Sequence, residues 1–324
     1  MKKVGTIMVG LILLFIVLFG YTIWDNNRIK VVEQEIVIED LSDQLEGFLI
    51  LQVSDLHEKE FGNNQKKLIE KINRIDYDAI AFTGDMLDGI QNTNYQRFHS
   101  LLEGIANKEN AWFVPGNTDP ESYVVTTNVE KSEFINGMEE QGVKLLETID
   151  TITVGDSVLD FVNFEMAIKD GYVGINEGTP RPSYANNKLF LKNQESLLEE
   201  MKVLDDKTAN DVLIALGHYP VVDARIDQIK VDSRLQMRDF DLIMAGHYHG
   251  GQIRLPFIGA FFVPEAWYQN QFFPPRNRVK GLWEYKGSKQ YVSTGLGSSD
   301  AVAFLNFRFL NPPEINLLKL TKGE

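Results

Sequence analysis

Short apolar runs that suit buried strands alternate with amphipathic helical stretches along the first half of this chain. The segment VVEQEIVIED alternates apolar and polar residues as a half-buried strand does, whereas GFLILQVSD is an apolar run that ends in polar residues. The predicted elements are, in order, strand 31–40, strand 47–55, helix 64–75, strand 78–85, helix 94–108 and strand 111–117. This βαβα order predicts a mostly parallel sheet with functional loops at the carboxyl ends of its strands.

The second half of the chain predicts a second sheet. Between residues 142 and 164, the segments GVKLLET, DTITVGD and SVLDFVNF are typical of successive short strands without helices between them, which favours partly antiparallel pairing. A helix at 192–204 leads into strands at 211–218 and 239–249, and each of these strands reaches a Gly-His pair. The C-terminal segments WEYKG, KQYVSTG and EINLLKL predict further strands.

The N-terminus predicts a membrane anchor. Residues 4–24 are 21 consecutive uncharged and mostly apolar positions, enough at ~1.5 Å per residue to cross a hydrocarbon core of about 30 Å. A cleaved signal peptide is the alternative, but the expected small-residue cleavage site is missing. We therefore divide the chain into an anchor, 1–27, and a domain, 28–324. Positive charges on the two sides nearly balance, and we favour a single-pass cell-membrane protein with its domain outside the cytoplasm.

Composition narrows the function classes. The chain has 324 residues, 44% of them hydrophobic, which indicates a globular protein. Its formal charge of −14 repels phosphate backbones, so no nucleic-acid-binding surface is expected. Cysteine is absent, which excludes disulfides and thiolate catalysis. Nothing in the composition implies an obligate protein partner.

Carboxylate, amide and imidazole groups collect where predicted strands end. An isolated His-x-His fenced by glycines, as in GHYHGG at 246–251, is more often a polar surface loop. Seven such groups at one rim are harder to explain without a metal, because together they would be unpaired buried polar groups. The seven are Asp55, His57, Asp85, Asn117, His218, His247 and His249.

These residues resemble the ordered motifs of the calcineurin-like metallophosphoesterases, which are DxH, GDxxD, GN, GH and GHxH. The matching segments are Asp55-Leu56-His57, Gly84-Asp85-Met86-Leu87-Asp88, Gly116-Asn117, Gly217-His218 and Gly246-His247-Tyr248-His249. The stretches GGQIRLPF and NPPEINLLKL are similar to the membrane-anchored bacterial branch, which includes phosphodiesterases and UDP-diacylglucosamine pyrophosphatases. The resemblance implies an α/β fold, a four-layer αββα sandwich of two mixed sheets, preceded by one transmembrane helix.

The resemblance also implies two divalent metal ions. One is held by Asp55, His57 and His249, the other by Asn117, His218 and His247, and Asp85 bridges both. It assigns catalytic roles to Asp85, Asn117 and His218. Mixed nitrogen and oxygen ligands suit Mn, Fe or Zn better than Mg or Ca. Such a pair activates a water and hydrolyses a phosphodiester or pyrophosphate.

Other residues have weaker signals. We expect Asp88 and Asp119 to support the ligands without binding metal. Thr118 stands where many relatives carry a histidine after GN, and that histidine is expected to help the leaving group as a general acid. It stays open whether Asp119 or a basic residue of the 256–283 stretch replaces this acid. His99, in a predicted helix, is interpreted as structural. The stretch 256–283 contains eight aromatic residues, and it is either a packed loop or a lip that touches lipid.

Two functional hypotheses remain from the sequence. The first is metal-dependent hydrolysis of a phosphoester at the membrane surface, with a lipid or cell-envelope precursor as the suggested substrate. The alternative is a non-enzymatic scaffold that reuses the fold for protein contacts at the membrane. Such scaffolds usually lose metal ligands, and all seven positions are filled here.

Overall fold

Two six-stranded mixed sheets, packed face to face, form the centre of the protein in a computed structural model, which describes residues 2–176, 179–206, 211–263, 272–299 and 306–323. The strands are β1 Lys30–Ile38, β2 Leu49–Val53, β3 Ala79–Phe82, β4 Ala111–Phe113, β5 Tyr123–Val125, β6 Val129–Lys131, β7 Lys144–Leu145, β8 Ile149–Val154, β9 Ser157–Asn163, β10 Val212–Leu216, β11 Leu242–Ala245, β12 Arg254–Leu255, β13 Gly259–Ala260, β14 Gly281–Tyr285, β15 Ser288–Val292 and β16 Glu314–Lys322. The first sheet has the order β1-β16-β2-β3-β4-β7, and the second β14-β15-β11-β10-β9-β8. Two small hairpins, β5-β6 and β12-β13, lie outside them.

Six of the seven helices cover the outer faces of the sheets, and α1 stands apart from them. The helices are α1 Lys2–Asn26, α2 Lys66–Ile72, α3 Gln96–Gly104, α4 Glu133–Glu140, α5 Phe164–Ala167, α6 Lys188–Met201 and α7 Asp223–Val231, with short 3-10 turns at Asn63–Gln65, Lys202–Asp206 and His249–Gly251. Apolar side chains of α2, α3 and α4 pack on the first sheet, and those of α5, α6 and α7 pack with the second. This arrangement confirms the predicted four-layer αββα sandwich.

The central core lies between the two sheets. Strands β3 and β10 are buried at every position, which explains why their sequences are continuous apolar runs without alternation. Trp112 of β4 stacks on Phe161 of β9 with ring centroids 4.2 Å apart, so the two sheets interdigitate at that point. Burying aromatic side chains of this size contributes much of the packing energy of such a layer. The sheets therefore hold their carboxyl-end loops in fixed positions.

One part of the strand prediction was wrong. The short strands between 142 and 164 do not all belong to the second sheet: β7 pairs parallel with β4 in the first, and only β8 and β9 form an antiparallel pair in the second. The reason is α4, a helix that the pattern of apolar residues did not reveal. Its N-cap residue Ser132 accepts a hydrogen bond from the Ile135 amide, and α4 returns the chain to the first sheet as the crossover of a βαβ unit.

The predicted anchor is the single helix α1. Its residues from Lys3 to Asn26 are long and apolar enough to cross a membrane by length and composition. Asn26 is hydrogen-bonded in both directions to the backbone of Arg308: its Nδ2 donates to the Arg308 carbonyl at 2.6 Å, and the Arg308 amide donates to its Oδ1 at 2.8 Å. The division at residues 27 and 28 falls between α1 and β1 and remains a prediction.

Candidate metal centre

The seven strand-end groups lie at one edge of the sandwich and come from both sheets. Asp55, Asp85 and Asn117 follow β2, β3 and β4 of the first sheet. His218 and His247 follow β10 and β11 of the second. Strands β2, β3 and β4 run parallel to one another in the first sheet, as β10 and β11 do in the second, so the carboxyl ends within each set lie at one edge.

Six of the seven form two groups with metal-ligand character. Asp55, His57 and His249 form one, and Asp85, His218 and His247 form the other; within each, one ligand atom per residue lies within 4.8 Å of the others. The seventh residue, Asn117, places its Oδ1 3.2 Å from His218 Nε2. All six grouped side chains are buried.

Asp85 lies between the two groups. Its Oδ2 is 3.2 Å from His218 Nε2 in its own group and 3.5 Å from His57 Nε2 in the other. A buried carboxylate in contact with imidazoles of both groups is the geometry expected of a bridging ligand.

The spacing of the imidazole nitrogens fits divalent ions. His57 Nε2 and His249 Nε2 are 3.2 Å apart, as are His247 Nδ1 and His218 Nε2. Two ligand atoms that each lie ~2.1 Å from one ion, at an angle of about 100°, are separated by about this distance. The second ring nitrogens of His247 and His249 are buried and have no hydrogen-bond partner among the described residues. The donor set therefore fits a pair of divalent ions.

Hydrogen bonds fix which nitrogen of two histidines faces the centre. His57 Nδ1 lies 2.8 Å from Asp88 Oδ1, and His218 Nδ1 lies 2.8 Å from the Thr83 carbonyl oxygen. With Nδ1 donating to an oxygen, the Nε2 lone pair points towards the ligand groups. Asp88 thus contacts a proposed ligand from behind, where the sequence placed it.

The backbone is left-handed at five of the seven residues. The φ angles of Asp55, His57, Asp85, His247 and His249 lie between 46° and 67°. Residues other than glycine rarely adopt such angles, and each instance costs on the order of 1–3 kcal/mol. Strain of this kind persists only where the surrounding structure over-determines it, and its concentration here indicates a functional edge.

Two glycines permit the loops to approach so closely. A Cβ atom on Gly116 would lie 2.1 Å from Asp85 Oδ1, and one on Gly246 would lie 2.0 Å from Ser54 Oγ. No side chain fits at either position without displacing a proposed ligand or its neighbour. The glycines of the GN and GHxH motifs are therefore steric requirements of the centre.

Asp119 connects the two loops that carry Asp85 and Asn117. Its carboxylate accepts hydrogen bonds from the backbone amides of Asp85, Met86, Leu87 and Gly116, at 2.7 to 3.1 Å. Burial, with the nearby Asp85 charge adding to it, raises the pKa of Asp119 to about 6. Since both of its oxygens are occupied by backbone donors, Asp119 holds the loops together and does not face the centre as an acid.

The charges of the ligand side chains depend on one another. Burial disfavours protonation of His218, but the adjacent Asp85 carboxylate outweighs this and raises the pKa of His218 to about 9. Burial and the neighbouring His218 lower the pKa of His247 to about 3. A divalent ion must displace the His218 proton, so its affinity for the second group rises with pH.

Arg308 was missed by the sequence interpretation. It is fully buried, and its guanidinium donates to the carbonyl oxygens of Gly297, Thr294 and Asn311 at 2.6 to 2.8 Å. Asn311 in turn donates to the carbonyl oxygen of His249 at 2.6 Å. Burial lowers the pKa of Arg308 to about 10, so it remains cationic at neutral pH. A single arginine after a run of aromatic residues carries no motif, so no sequence signal indicated this role.

Comparisons with known proteins agree with this geometry. A family model described as calcineurin-like phosphoesterase matches residues 48–251. An uncharacterized metallophosphoesterase of Bacillus subtilis, YkuE, is 27% identical over 316 residues, which are 93% of this chain and 89% of that protein. The UDP-2,3-diacylglucosamine pyrophosphatase LpxG of Chlamydia trachomatis is 26% identical over 306 residues, 85% of this chain and 84% of that protein.

Among solved structures, the phosphopantetheinyl hydrolase PptH of Mycobacterium tuberculosis is similar with a TM-score of 0.41 and 13% identity, over 78% of this chain and 91% of that one. The family match covers more than half of the chain and includes all seven strand-end residues. With its paired ligand groups, the chain is a metal-dependent phosphoester hydrolase, and it belongs to the calcineurin-like phosphoesterase family.

Proposed function

We propose that the protein hydrolyses a phosphodiester or pyrophosphate bond at a membrane surface with a pair of divalent metal ions. When bound, such a pair lowers the pKa of a shared water and offsets charge on a phosphoryl oxygen. The observation that carries the proposal is the position of Asp85, whose carboxylate contacts both ligand groups. Asp55, His57 and His249 would hold one ion, and Asn117, His218 and His247 the other.

The chain's own residues supply position and charge. With both ions bound, the Asp85 carboxylate would lower their mutual repulsion through its negative charge. Asp88 and the Thr83 carbonyl keep His57 and His218 in the tautomer that ligates through Nε2. The nitrogen-rich ligand set favours Mn, Fe or Zn.

Metal dependence tests the proposal directly. The full chain, stripped with a chelator, is expected to lose turnover of bis(p-nitrophenyl) phosphate and to regain it with about two equivalents of Mn, Fe(II) or Zn per chain. The catalysed rate should rise with the second equivalent, because both groups are needed to clamp the attacking and leaving oxygens. A chain that binds metal tightly and yet turns over no diester, pyrophosphate or monoester would instead be a scaffold.

Thr118 supports a diester or pyrophosphate bond over an alkyl monoester. Its hydroxyl donates to the Leu87 carbonyl oxygen at 2.6 Å and its amide donates to Asp85 Oδ1 at 2.8 Å. The Thr118 proton is therefore engaged within the protein, and Asp119 is engaged by four amides. A leaving group must then depart with little help from an acid, which favours aryl diesters and pyrophosphates. LpxG, a relative, is by its name a pyrophosphatase.

We predict that the rate falls steeply as the pKa of the leaving group rises across a series of aryl and alkyl diesters. Thr118→Ala should lower the rate on an activated diester less than threefold, whereas Asn117→Ala, which removes a proposed ligand, should lower it ~10²-fold or more. Initial rates under conditions where chemistry limits turnover measure both. A flat dependence on leaving-group pKa would mean that another residue acts as the acid.

A set of exposed apolar side chains beside the end of α1 supports action at a membrane. We call this set the apolar rim. Its members, with their exposed fractions, are Phe257 at 96%, Phe273 at 54%, Ile258 at 52%, Phe272 at 49%, Phe307 at 37% and Leu310 at 37%. Other residues of the stretch 256–283, such as Val263, Val279 and Trp283, are buried, and residues 264–271 lie outside the described part of the chain. The stretch thus contains both a packed portion and an exposed one.

Backbone hydrogen bonds join the apolar rim to α1. The Phe273 amide donates to the Phe261 carbonyl, the Phe261 amide to Ile253, and the Arg254 amide to Phe309. Phe309 is next to Arg308, whose backbone is paired with Asn26 at the end of α1. Each such bond joins segments ~5 Å apart. Phe307 and Leu310 are within two residues of Arg308, and the segment of Phe273 is three such steps from it. A bilayer that holds α1 would meet these aromatic side chains at its surface.

The double substitution Phe257→Ser with Phe273→Ser is expected to lower the rate on a phosphodiester embedded in vesicles by about thirtyfold. The reason is the loss of two aromatic contacts with the bilayer, each worth ~1 kcal/mol even when partial. The rate on a soluble chromogenic diester should not change. Val231→Ser removes an equally exposed apolar side chain on α7 and serves as the control. Equal losses on both substrates would contradict a membrane role for the rim.

A further inference from the structure

A cavity of about 370 Å³ adjoins the proposed metal centre. It lies between α6 and the carboxyl ends of β4, β9 and β10, and Asn117 and His218 form part of its wall. The residues that hold the proposed second ion are thus shared with the cavity. Ligand sites in proteins typically have volumes of about 300–1,000 Å³.

Apolar side chains line most of the cavity. Helix α6 turns one face towards it, since Phe190, Gln194 and Leu197 are spaced at one helical turn. Opposite them lie Val114, Leu146 and Leu216, which end strands of both sheets or follow them. The wall therefore presents chiefly hydrocarbon to whatever fills it.

Three ionisable residues of the wall, Glu165, Lys169 and Glu147, are paired with neighbouring side chains. Glu165 accepts from Arg225 and from Asn176, each at 2.6 Å. Lys169, which is buried, donates to Gln194 Oε1 at 3.1 Å. Glu147 accepts from Lys131 at 2.9 Å and from the Tyr123 hydroxyl at 2.5 Å. These side chains have hydrogen-bond partners within the protein, so a molecule in the cavity does not need to supply polar groups for them.

We propose that this cavity binds an aliphatic chain of the phosphoester substrate while the phosphoryl group lies at the metal centre. The inference rests on the proposed function and specifies its substrate class as an amphipathic phosphoester with at least one alkyl or acyl chain. A cavity of ~150 Å³ holds a benzene molecule, so by simple scaling this one accommodates on the order of ten to fifteen carbon atoms.

A nucleobase fits the cavity less well than a hydrocarbon. A base brings several hydrogen-bond donors and acceptors, and each one left unpaired on burial costs affinity. The wall groups that could meet them are already engaged with one another. Ile90 and Arg181, which are both exposed, also line the cavity. Ile90 offers an apolar contact to a chain that enters from solvent or membrane, and Arg181 offers a cation to the anionic end of the substrate.

A series of p-nitrophenyl alkyl phosphodiesters with chains of one, four, eight and twelve carbons tests this inference on the full chain in detergent. The value of kcat/KM should rise about three- to fourfold for each added methylene until the cavity is full, because each buried methylene contributes a comparable factor to binding. The ratio of the eight-carbon to the one-carbon substrate is then at least ~10³.

Leu197→Trp places a larger side chain in the cavity and should reduce that ratio to near one. Phe190→Leu enlarges the cavity and should move the best chain length upward by a few carbons. Leu189→Trp, on the same helix but 40% exposed and away from the cavity, should keep the wild-type ratio. The opposite effects of the first two variants separate filling of the cavity from simple loss of structure.

Each failure has its own signature. Turnover that is independent of chain length in the wild type, or that depends on it equally in Leu197→Trp, overturns the inference and leaves the hydrolase intact. Preference for p-nitrophenyl thymidine phosphate over the octyl ester, abolished by Leu197→Trp, would assign the cavity to a base and also overturn it. Absence of turnover with every ester, with metals present, is instead failure of the proposed function.

Calorimetric titration with octyl phosphonate and methyl phosphonate measures binding of the chain without catalysis. Equal affinities for the two phosphonates would count against the inference.

Discussion

Replacing Asp85 by asparagine is expected to lower kcat/KM by at least ~10³-fold and to leave less than one tightly bound metal ion per chain. The Asp85 carboxylate contacts imidazoles of both ligand groups, at 3.2 Å and 3.5 Å, so its loss is expected to weaken both ions together. Asparagine keeps the size of the side chain but removes the negative charge that balances two cations. A metal contribution of several kcal/mol to the transition state corresponds to a rate factor of this size.

Metal analysis and steady-state kinetics on the same preparation check this result. Asp88→Asn is the matched control. It makes the same chemical change at a carboxylate that contacts His57 Nδ1 and does not lie between the two ligand groups. For this variant we expect kcat/KM to fall by about 10–100-fold. Two tightly bound ions and near-native turnover in Asp85→Asn would show that the bridging assignment is wrong.

Replacing Arg308 by methionine is expected to lower the free energy of unfolding by ~3–5 kcal/mol and to weaken the ion held by Asp55, His57 and His249. The substitution leaves buried carbonyl oxygens of Gly297 and Thr294 without their donor, and each unsatisfied group costs ~1–3 kcal/mol. It also loosens the loop that positions His249 through Asn311.

Thermal unfolding of the metal-free and metal-loaded protein measures both parts of this expectation. In a domain of this size the midpoint should fall by about 10 °C, and the stabilisation gained from added metal should shrink. Arg74→Met is the control: the Arg74 side chain is 79% exposed and pairs with Glu70 at 3.7 Å, so its loss should matter little. A midpoint unchanged in Arg308→Met would mean that other donors satisfy these carbonyls.

The pattern of residues could predict two sheets and the set of strand-end residues for a physical reason, whereas the four-layer sandwich was implied by the family resemblance. Ligands that must meet at one edge have to follow strands at short distances, so their motifs are local and ordered along the chain. Strands β3 and β10 are buried at every position, so their sequences are continuous apolar runs that can also be recognised from the sequence. The seven residues are brought to one edge as expected; their individual roles remain proposals.

What the sequence could not predict depends on contacts between distant segments. Arg308 supports His249 across 59 residues of sequence, and neither residue's neighbours indicate the partner. Asp119 likewise accepts hydrogen bonds from four backbone amides. This role depends on the fold, which brings the loop of Asp85 next to the loop of Asn117. The strand β7 was assigned to the wrong sheet because a two-residue strand has too few positions to carry a pattern.

The direct attachment of the anchor to the domain limits what the enzyme can reach. Only residues 27–29 separate α1 from β1, and Asn26 is bonded to the segment that supports His249. With α1 in a bilayer, the metal centre has no long tether on which to swing, so it stays at one height above the lipid surface. An amphipathic substrate of the class proposed above would then meet the enzyme by lateral diffusion within a single leaflet, and turnover would depend on the mole fraction of substrate in that membrane instead of its bulk concentration. Substrates carried by other membranes would be out of range, however abundant they are.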